Sequence, residues 1–360
     1  MEAGKILNFF FLIFAVLGGI DYFFDSKYGI GKEFERGIKC AGQLILCMVG
    51  FITLAPLLGD VLLTLCGPFL KKIGSDPSLM AGILFAVDCG GAPAAEEMAS
   101  SREMAILNGY FVASMFGNAV GGNLFLSLMA VNPKRRSFVL YGLAIGLAAI
   151  PAGCLVGSIL IGISPRAVLS DLLPLILLSV LLIAAMALWT GVLLRILRIF
   201  GKCNVFLCIA GLLLAAAGEL CGLELLPERT PFSEIMTLVG QIVLVLAGVF
   251  PLLSLALRFL EKPLARISER AGLSVTDTRG VVVCLVNCYP SIDRLPEMTD
   301  MGIVLNTAFG SVAGYALGDH FAYTSSAAPE LVIPLILAKV SAGVLAIGIA
   351  FLLRRFIIRK

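Results

Sequence analysis

Nine apolar runs set the terms for this sequence, at 5–24, 40–66, 104–130, 137–163, 172–197, 203–223, 236–260, 300–323 and 331–353. Each is long enough to carry an α-helix through a bilayer, which takes about 20 residues. Lipid offers a backbone no hydrogen-bond partners, so such runs are restricted to segments that satisfy their own N–H and C=O groups. Hydrophobic residues make up 59% of the chain and charged residues 14%, against about 25% charged in soluble domains. No polar stretch is long enough for a soluble domain. The 360 residues therefore read as one all-α, polytopic membrane domain.

Two further apolar segments, 78–93 and 278–292, are short and interrupted. The first carries Asp88, Gly90, Gly91 and Pro93; the second carries Arg279, Asn287 and Pro290. An ionised side chain at membrane depth costs about 3 kcal/mol on insertion scales. Glycine and proline there also free backbone groups that a continuous helix would have bonded. Both costs concentrated around Asp88 point to a place that holds a polar solute. Leu317-Gly318-Asp319-His320-Phe321 is a second such place.

The basic residues give an orientation. They cluster at Lys27–Lys39, Lys134–Arg136, Arg195–Lys202, Arg258–Arg270 and Arg354–Lys360, as cytoplasmic loops do. The stretches near 164–171 and 224–234 hold only Arg166 and Arg229 as basic residues. Neighbouring cytoplasmic groups must be separated by an even number of crossings. Parity is kept if the two interrupted segments re-enter rather than cross. The expectation is about nine transmembrane helices, an external N-terminus and two re-entrant helices, with Lys71-Lys72 outside. The first run reads as a span, not a removed leader.

An internal repeat fits this scheme. Pro56 and Pro68 recur as Pro251 and Pro263, Asp88-Cys89 as Asn287-Cys288, and Asn108 as Asn306. Gly121-Gly122-Asn123-Leu124 is answered by Gly318-Asp319-His320-Phe321. The halves are approximately 40–163 and 236–353, connected by spans in 172–223, with opposite orientations in the membrane. Inverted repeats with broken helices near the midplane are a recurring transporter architecture. Gly117, Gly121 and Gly122 serve either helix packing or the pathway.

Much is excluded. A net charge of +3 gives no reason to expect nucleic acid. One histidine cannot build a multi-histidine metal site, and no nucleophile elbow, zinc-protease or phosphate-loop motif is present. An enzyme, a metal centre and a cofactor are not expected. The ten cysteines read as small core residues, including Cys284 and Cys288 four apart on one helical face. The expected partners are a small solute and the lipid bilayer; oligomeric state is open, with a homo-oligomer allowed.

Three further strings are Asp76-Pro77-Ser78-Leu79-Met80-Ala81-Gly82, Glu261-Lys262-Pro263-Leu264 and Ala316-Leu317-Gly318-Asp319-His320. With Asp88-Cys89-Gly90-Gly91, in this order and spacing, the chain resembles the ethanolamine-utilisation membrane proteins, the EutH-type ethanolamine permeases, from about residue 30 to 353. The resemblance implies passage of ethanolamine across a bacterial inner membrane. Two places depart from the family's pattern: Glu96-Glu97, and the polar run Tyr289-Pro290-Ser291-Ile292-Asp293.

Protonated ethanolamine presents an ammonium and a hydroxyl. Asp88 suits the ammonium, helped by carbonyls freed around Gly90 and Gly91. Asn118, Asn123 or Asn287 suits the hydroxyl, and Tyr315, Phe321 or Tyr323 offers an aromatic face to the cation. Asp319 and His320 complete the candidates, His320 as a group that titrates near neutrality. Competing roles stand beside these: Asp88 as a helix cap or partner of Arg102, Asp319 as an interfacial anchor, His320 as a structural hydrogen-bonder, Asn287 as a stabiliser of its broken helix. A carrier for another small amine coupled to protons or sodium is an alternative, as is a membrane sensor that moves nothing.

Overall fold

The computed structural model describes residues 2–223, 225–226 and 230–358. Glu224, Arg229, Arg359, Lys360 and the surroundings of Gly122 lie outside the described residues. Within them the chain is helical throughout, with no strand. Seven helices are long and apolar enough to cross a membrane, or eight if Pro165–Asp171 and Leu173–Ala185, bent by 45°, form one span. These match eight of the nine expected runs. The ninth, 300–323, is split into Asp300–Ala313 and Asp319–Ala327.

The stretch around Arg195, Arg198 and Lys202 differs from the expected loop. It lies inside one continuous helix, Thr190–Cys221, and the interruption falls earlier, at Trp189. The three basic residues stand three and seven positions apart, which places them on one helical face. A charged stripe can face water without breaking a helix, and no proline is present to break it.

Each interrupted segment folds back on itself. The first runs through Leu79–Leu84, an extended Phe85-Ala86 pair, and Ala92–Met98. Asp76 fastens its open end, accepting hydrogen bonds from the Ser78 backbone and hydroxyl at 3.0 and 2.5 Å, from the Ser100 N–H at 3.0 Å and from the Ser100 hydroxyl. The second runs through Val275–Cys284 and Tyr289–Asp293. Asp277 fastens it, accepting from the Ser274 N–H at 2.8 Å, the Thr299 N–H at 3.0 Å and the Thr299 hydroxyl at 2.7 Å. In both, entry and exit are within one side chain's reach. Asn108 donates to Ser78 at 3.0 Å, and Asn306 to the Asp277 carbonyl at 2.8 Å, tying each hairpin to the helix that follows.

The two hairpins open at opposite ends of the Arg136–Leu160 helix. At its start, Arg135 grips the mouth of the second through Asp300 at 2.8 Å and the Met298 carbonyl at 2.6 Å. Past its end, Asp171 accepts from the Asp76 N–H at 2.6 Å, and its carbonyl from the Ser75 hydroxyl at 2.8 Å. Its 25 residues span roughly 37 Å, enough to separate the two faces of a bilayer.

The breaks are chemically satisfied. Carbonyls freed after Val275–Cys284 meet N–H groups freed in the 314–318 break: Tyr315 donates to Cys284 at 2.8 Å and Leu317 to Leu285 at 2.7 Å. In the first hairpin the N–H groups of Cys89 and Gly91 return to the Ala86 carbonyl at 3.0 and 2.9 Å. Gly90 sits at φ +89°, where L side chains are strained, and a Cβ there would lie 2.9 Å from Phe51. Gly117 takes the packing role, since a Cβ there would fall onto the Phe85 carbonyl, whereas Gly121 has open space beside it.

Candidate functional site

Both hairpin tips and the 314–318 break meet at one cavity of about 720 Å³. Asp88, Asn118, Asn123, Asn287, Tyr315, Asp319 and His320 line it. Its deep end is closed by buried side chains, Asp88, Tyr315 and His320 among them; its other end runs out past the exposed Gln43, Arg198 and Lys202.

Asp88 is 7% exposed and His320 2%. The His320 Nε2 lies 3.6 Å from the Asp88 Oδ1, beyond a good hydrogen bond. Among the described residues Asp88 Oδ1, His320 Nδ1 and Asn118 Nδ2 have no hydrogen-bond partner. Buried polar atoms are nearly always paired, because desolvating them unpaired is costly. Three orphans around one cavity are a set of groups available to a solute. Asp319 lines the same cavity as Asp88. Arg102 pairs instead with Glu330, at 3.0 Å, which removes it as the partner of Asp88.

The aromatic wall is ordered by packing. The Tyr315 ring lies 5.3 Å from the His320 ring and 6.2 Å, edge-on, from Tyr289. The Tyr315 hydroxyl donates to Asn123 at 3.4 Å, and Asn123 donates to the Gly310 carbonyl at 3.3 Å. Asn287 accepts from the Tyr289 N–H at 2.8 Å, which orients its side chain through a local turn.

Some anticipated residues lie elsewhere. Phe321 is fully buried against Phe11, with rings 5.1 Å apart, and does not line the cavity. Adjacent helical residues point about 100° apart, so Phe321 cannot share the direction of His320. Tyr323 packs toward Tyr110, with ring centroids 6.4 Å apart, and does not line the cavity. Gly90 and Gly91 shape the hairpin tip without lining the cavity. Glu96 belongs to a separate cavity of about 440 Å³, with Tyr110, Arg102 and Glu330.

Other residues enter the site without having been anticipated. Cys47 and Cys89 bring their sulfurs to 2.8 Å on its wall. Lys339 is 0% exposed, and its ammonium donates to the Ser114 carbonyl. A lysine alone in the 331–353 run was a visible signal, since an ionisable group at membrane depth is by default functional.

Helices that span lipid, two hairpins inserted from opposite ends, and between them a cavity with a few buried polar side chains on its wall define a multi-pass membrane protein built to pass a small solute. A family model described as "Ethanolamine utilisation protein, EutH" matches residues 3–353. The chain belongs to that family. It is 32% identical over 360 residues to a probable ethanolamine permease EutH of Listeria monocytogenes, covering 100% of this chain and 96% of the relative. It is 31% identical to the protein of that description from Salmonella typhimurium, covering 97% and 94%, and 30% identical to the uncharacterized protein YxeR of Bacillus subtilis, covering 97% and 95%. No solved structure matches. The chain is therefore a permease of the bacterial cell membrane and not an enzyme.

Proposed function

We propose that this permease takes up ethanolamine as the protonated amino alcohol. Asp88 and Asp319 hold the ammonium, the Tyr315 ring faces it, and Asn118, Asn123 and Asn287 serve the hydroxyl end. His320 stands beside Asp88 as the hydrogen-bonding member of the set. The observation that carries this reading is Asp88: a carboxylate at the tip of a re-entrant hairpin, buried, on the cavity wall, with one oxygen unpartnered. A small cation with several N–H donors satisfies such an oxygen. The printed descriptions of the Listeria and Salmonella relatives support the choice of amine.

The cavity runs out beside Arg198 and Lys202, on the side that the basic residues make cytoplasmic. This conformation is read as inward-facing. An inside-negative potential favours entry of a monovalent cation by about 2.3 kcal/mol per 100 mV. The halves 40–163 and 236–353 form an inverted repeat, supported by the paired fastenings at Asp76 and Asp277 and by hairpin mouths at opposite ends of one helix. Uptake of labelled ethanolamine into proteoliposomes, driven by an imposed inside-negative potential, tests the proposal. Saturable accumulation is expected. Binding without accumulation would assign the protein to sensing instead.

A further inference from the structure

The second cavity, of about 440 Å³, has no part in the site described so far. It lies at the mouth of the first hairpin: Ser101 and Arg102 on its wall follow Ser100, whose N–H bonds Asp76. That mouth is at the Leu160 end of the Arg136–Leu160 helix, opposite the Lys134–Arg136 cluster. The main cavity runs out past Arg198 and Lys202, which their positive charge assigns to the side of that cluster.

One short helix touches both cavities. His320, Tyr323, Thr324 and Ala327 recur at helical spacing on Asp319–Ala327 and share a face. His320 lines the main cavity and Ala327 the second, about 10 Å apart along the axis. Tyr323 and Thr324 stand between them on that face, and neither lines either cavity. The Tyr323 ring meets Tyr110, with both residues buried. Tyr110 in turn lines the second cavity, where its hydroxyl donates to Glu96 at 3.3 Å. The buried Thr324 hydroxyl has no partner among the described residues. An unpartnered hydroxyl is costly to keep in a wall that nothing crosses.

Resting on the amine-permease reading above, we propose that the second cavity is the outer vestibule of the permease, where Glu96 and Tyr110 capture a small organic cation, and that Tyr110 and Tyr323 form the closed gate between it and the main cavity. The charges on its wall favour this. The charged residues that line it are Glu96, Arg102 and Glu330. Arg102 is held by Glu330 at 3.0 Å, so those two cancel and Glu96 sets the sign. A carboxylate beside a tyrosine ring suits an organic ammonium twice, through charge and through the ring face. The path is open toward the side of Arg198 and Lys202 and shut at the tyrosine pair. Parting the two rings joins the cavities along the His320–Ala327 face, with the Thr324 hydroxyl on the way.

The gate is tested without substrate. Cys89 lines the main cavity. A membrane-impermeant cationic thiol reagent is added outside intact cells expressing the full chain, and mass spectrometry of the Cys89 peptide gives the rate of modification. Tyr323→Ala is expected to raise that rate about tenfold or more over the native chain. An unchanged rate in folded protein overturns the gate. Should Tyr323→Ala not fold, Ala327→Trp decides. Ala327 is exposed, so the fold tolerates the bulk, and the indole narrows the vestibule. External modification of Cys89 should then fall about fivefold, and an unchanged rate overturns the route. Capture is read separately: Glu96→Gln is expected to raise the KM for labelled ethanolamine uptake about fivefold with the maximal rate kept. An unchanged KM overturns the capture role. A native chain that accumulates no ethanolamine overturns the permease reading and capture of that amine with it, while the Cys89 rates still decide the gate.

Discussion

The two hairpins share a plan and differ at their tips. Each is fastened at its mouth by a buried aspartate, Asp76 or Asp277, accepting from the chain on both sides. At the tip the first carries Asp88 and closes its break locally, through the Ala86 carbonyl. The second carries Asn287 at the equivalent place and closes its break with a neighbour, the 314–318 segment. Its acid is supplied by that neighbour as Asp319. Fastening is common to both hairpins because lipid makes the same demand on any open end. Charge is not duplicated in kind, because the two tips face the same cavity from different elements and a small cation needs few anionic groups.

The comparison breaks most sharply at Asp88. Asp88→Asn keeps the shape and removes the charge, and labelled ethanolamine uptake should fall by about a hundredfold with expression and membrane insertion unchanged. Equal uptake would leave Asp88 a structural acid and make the tips alike. A next test uses Cys47 and Cys89. A mild oxidant that joins them pins the first tip to the Ile45–Val49 segment, and uptake should drop by about tenfold, restored by a reducing agent. Cys47→Ser should abolish the sensitivity; a variant that stays sensitive would move the effect to other thiols.

Gly90→Ala forces a Cβ onto Phe51 at positive φ, and should destabilise the first tip by about 1–3 kcal/mol. Thermal unfolding of the detergent-solubilised protein reads this as a lower midpoint, and a midpoint equal to native would deny the strain. The smallest effect is expected at Asn287→Ala, about threefold on uptake affinity, because its bond to the Tyr289 N–H already occupies its oxygen. A loss as large as that at Asp88 would make the two tips equal partners.

The sequence carried the interruptions plainly. Asp88, Gly90, Gly91 and Pro93 in an apolar run announced a broken helix, and residues 78–93 form one. Asn108 and Asn306 were visible as answering positions, and each ties a hairpin to the following helix. What stayed hidden depended on direction and on three-dimensional neighbours. Phe321 follows His320 in the chain but points elsewhere. The basic cluster at Arg195–Lys202 reads as a cytoplasmic loop by its charge, but charge excludes only a lipid-facing surface, and the cluster lies inside Thr190–Cys221. Lys339 is legible by residue type alone; its burial against the Ser114 carbonyl comes from helix packing that no local pattern records.

The paired backbone contacts between 284–285 and 315–317 have a mechanical consequence. Two short lengths of chain stitched edge to edge behave as a single plate, and side chains mounted on it keep their spacing when it shifts. Asn287, Tyr315 and Asp319 ride on that plate, whereas Asp88 is mounted on another part. Whatever rearrangement turns the cavity toward the opposite face of the membrane has one seam available within the site. It lies between Asp88 and those three side chains, and on the uptake reading proposed above a bound cation is the rivet across it.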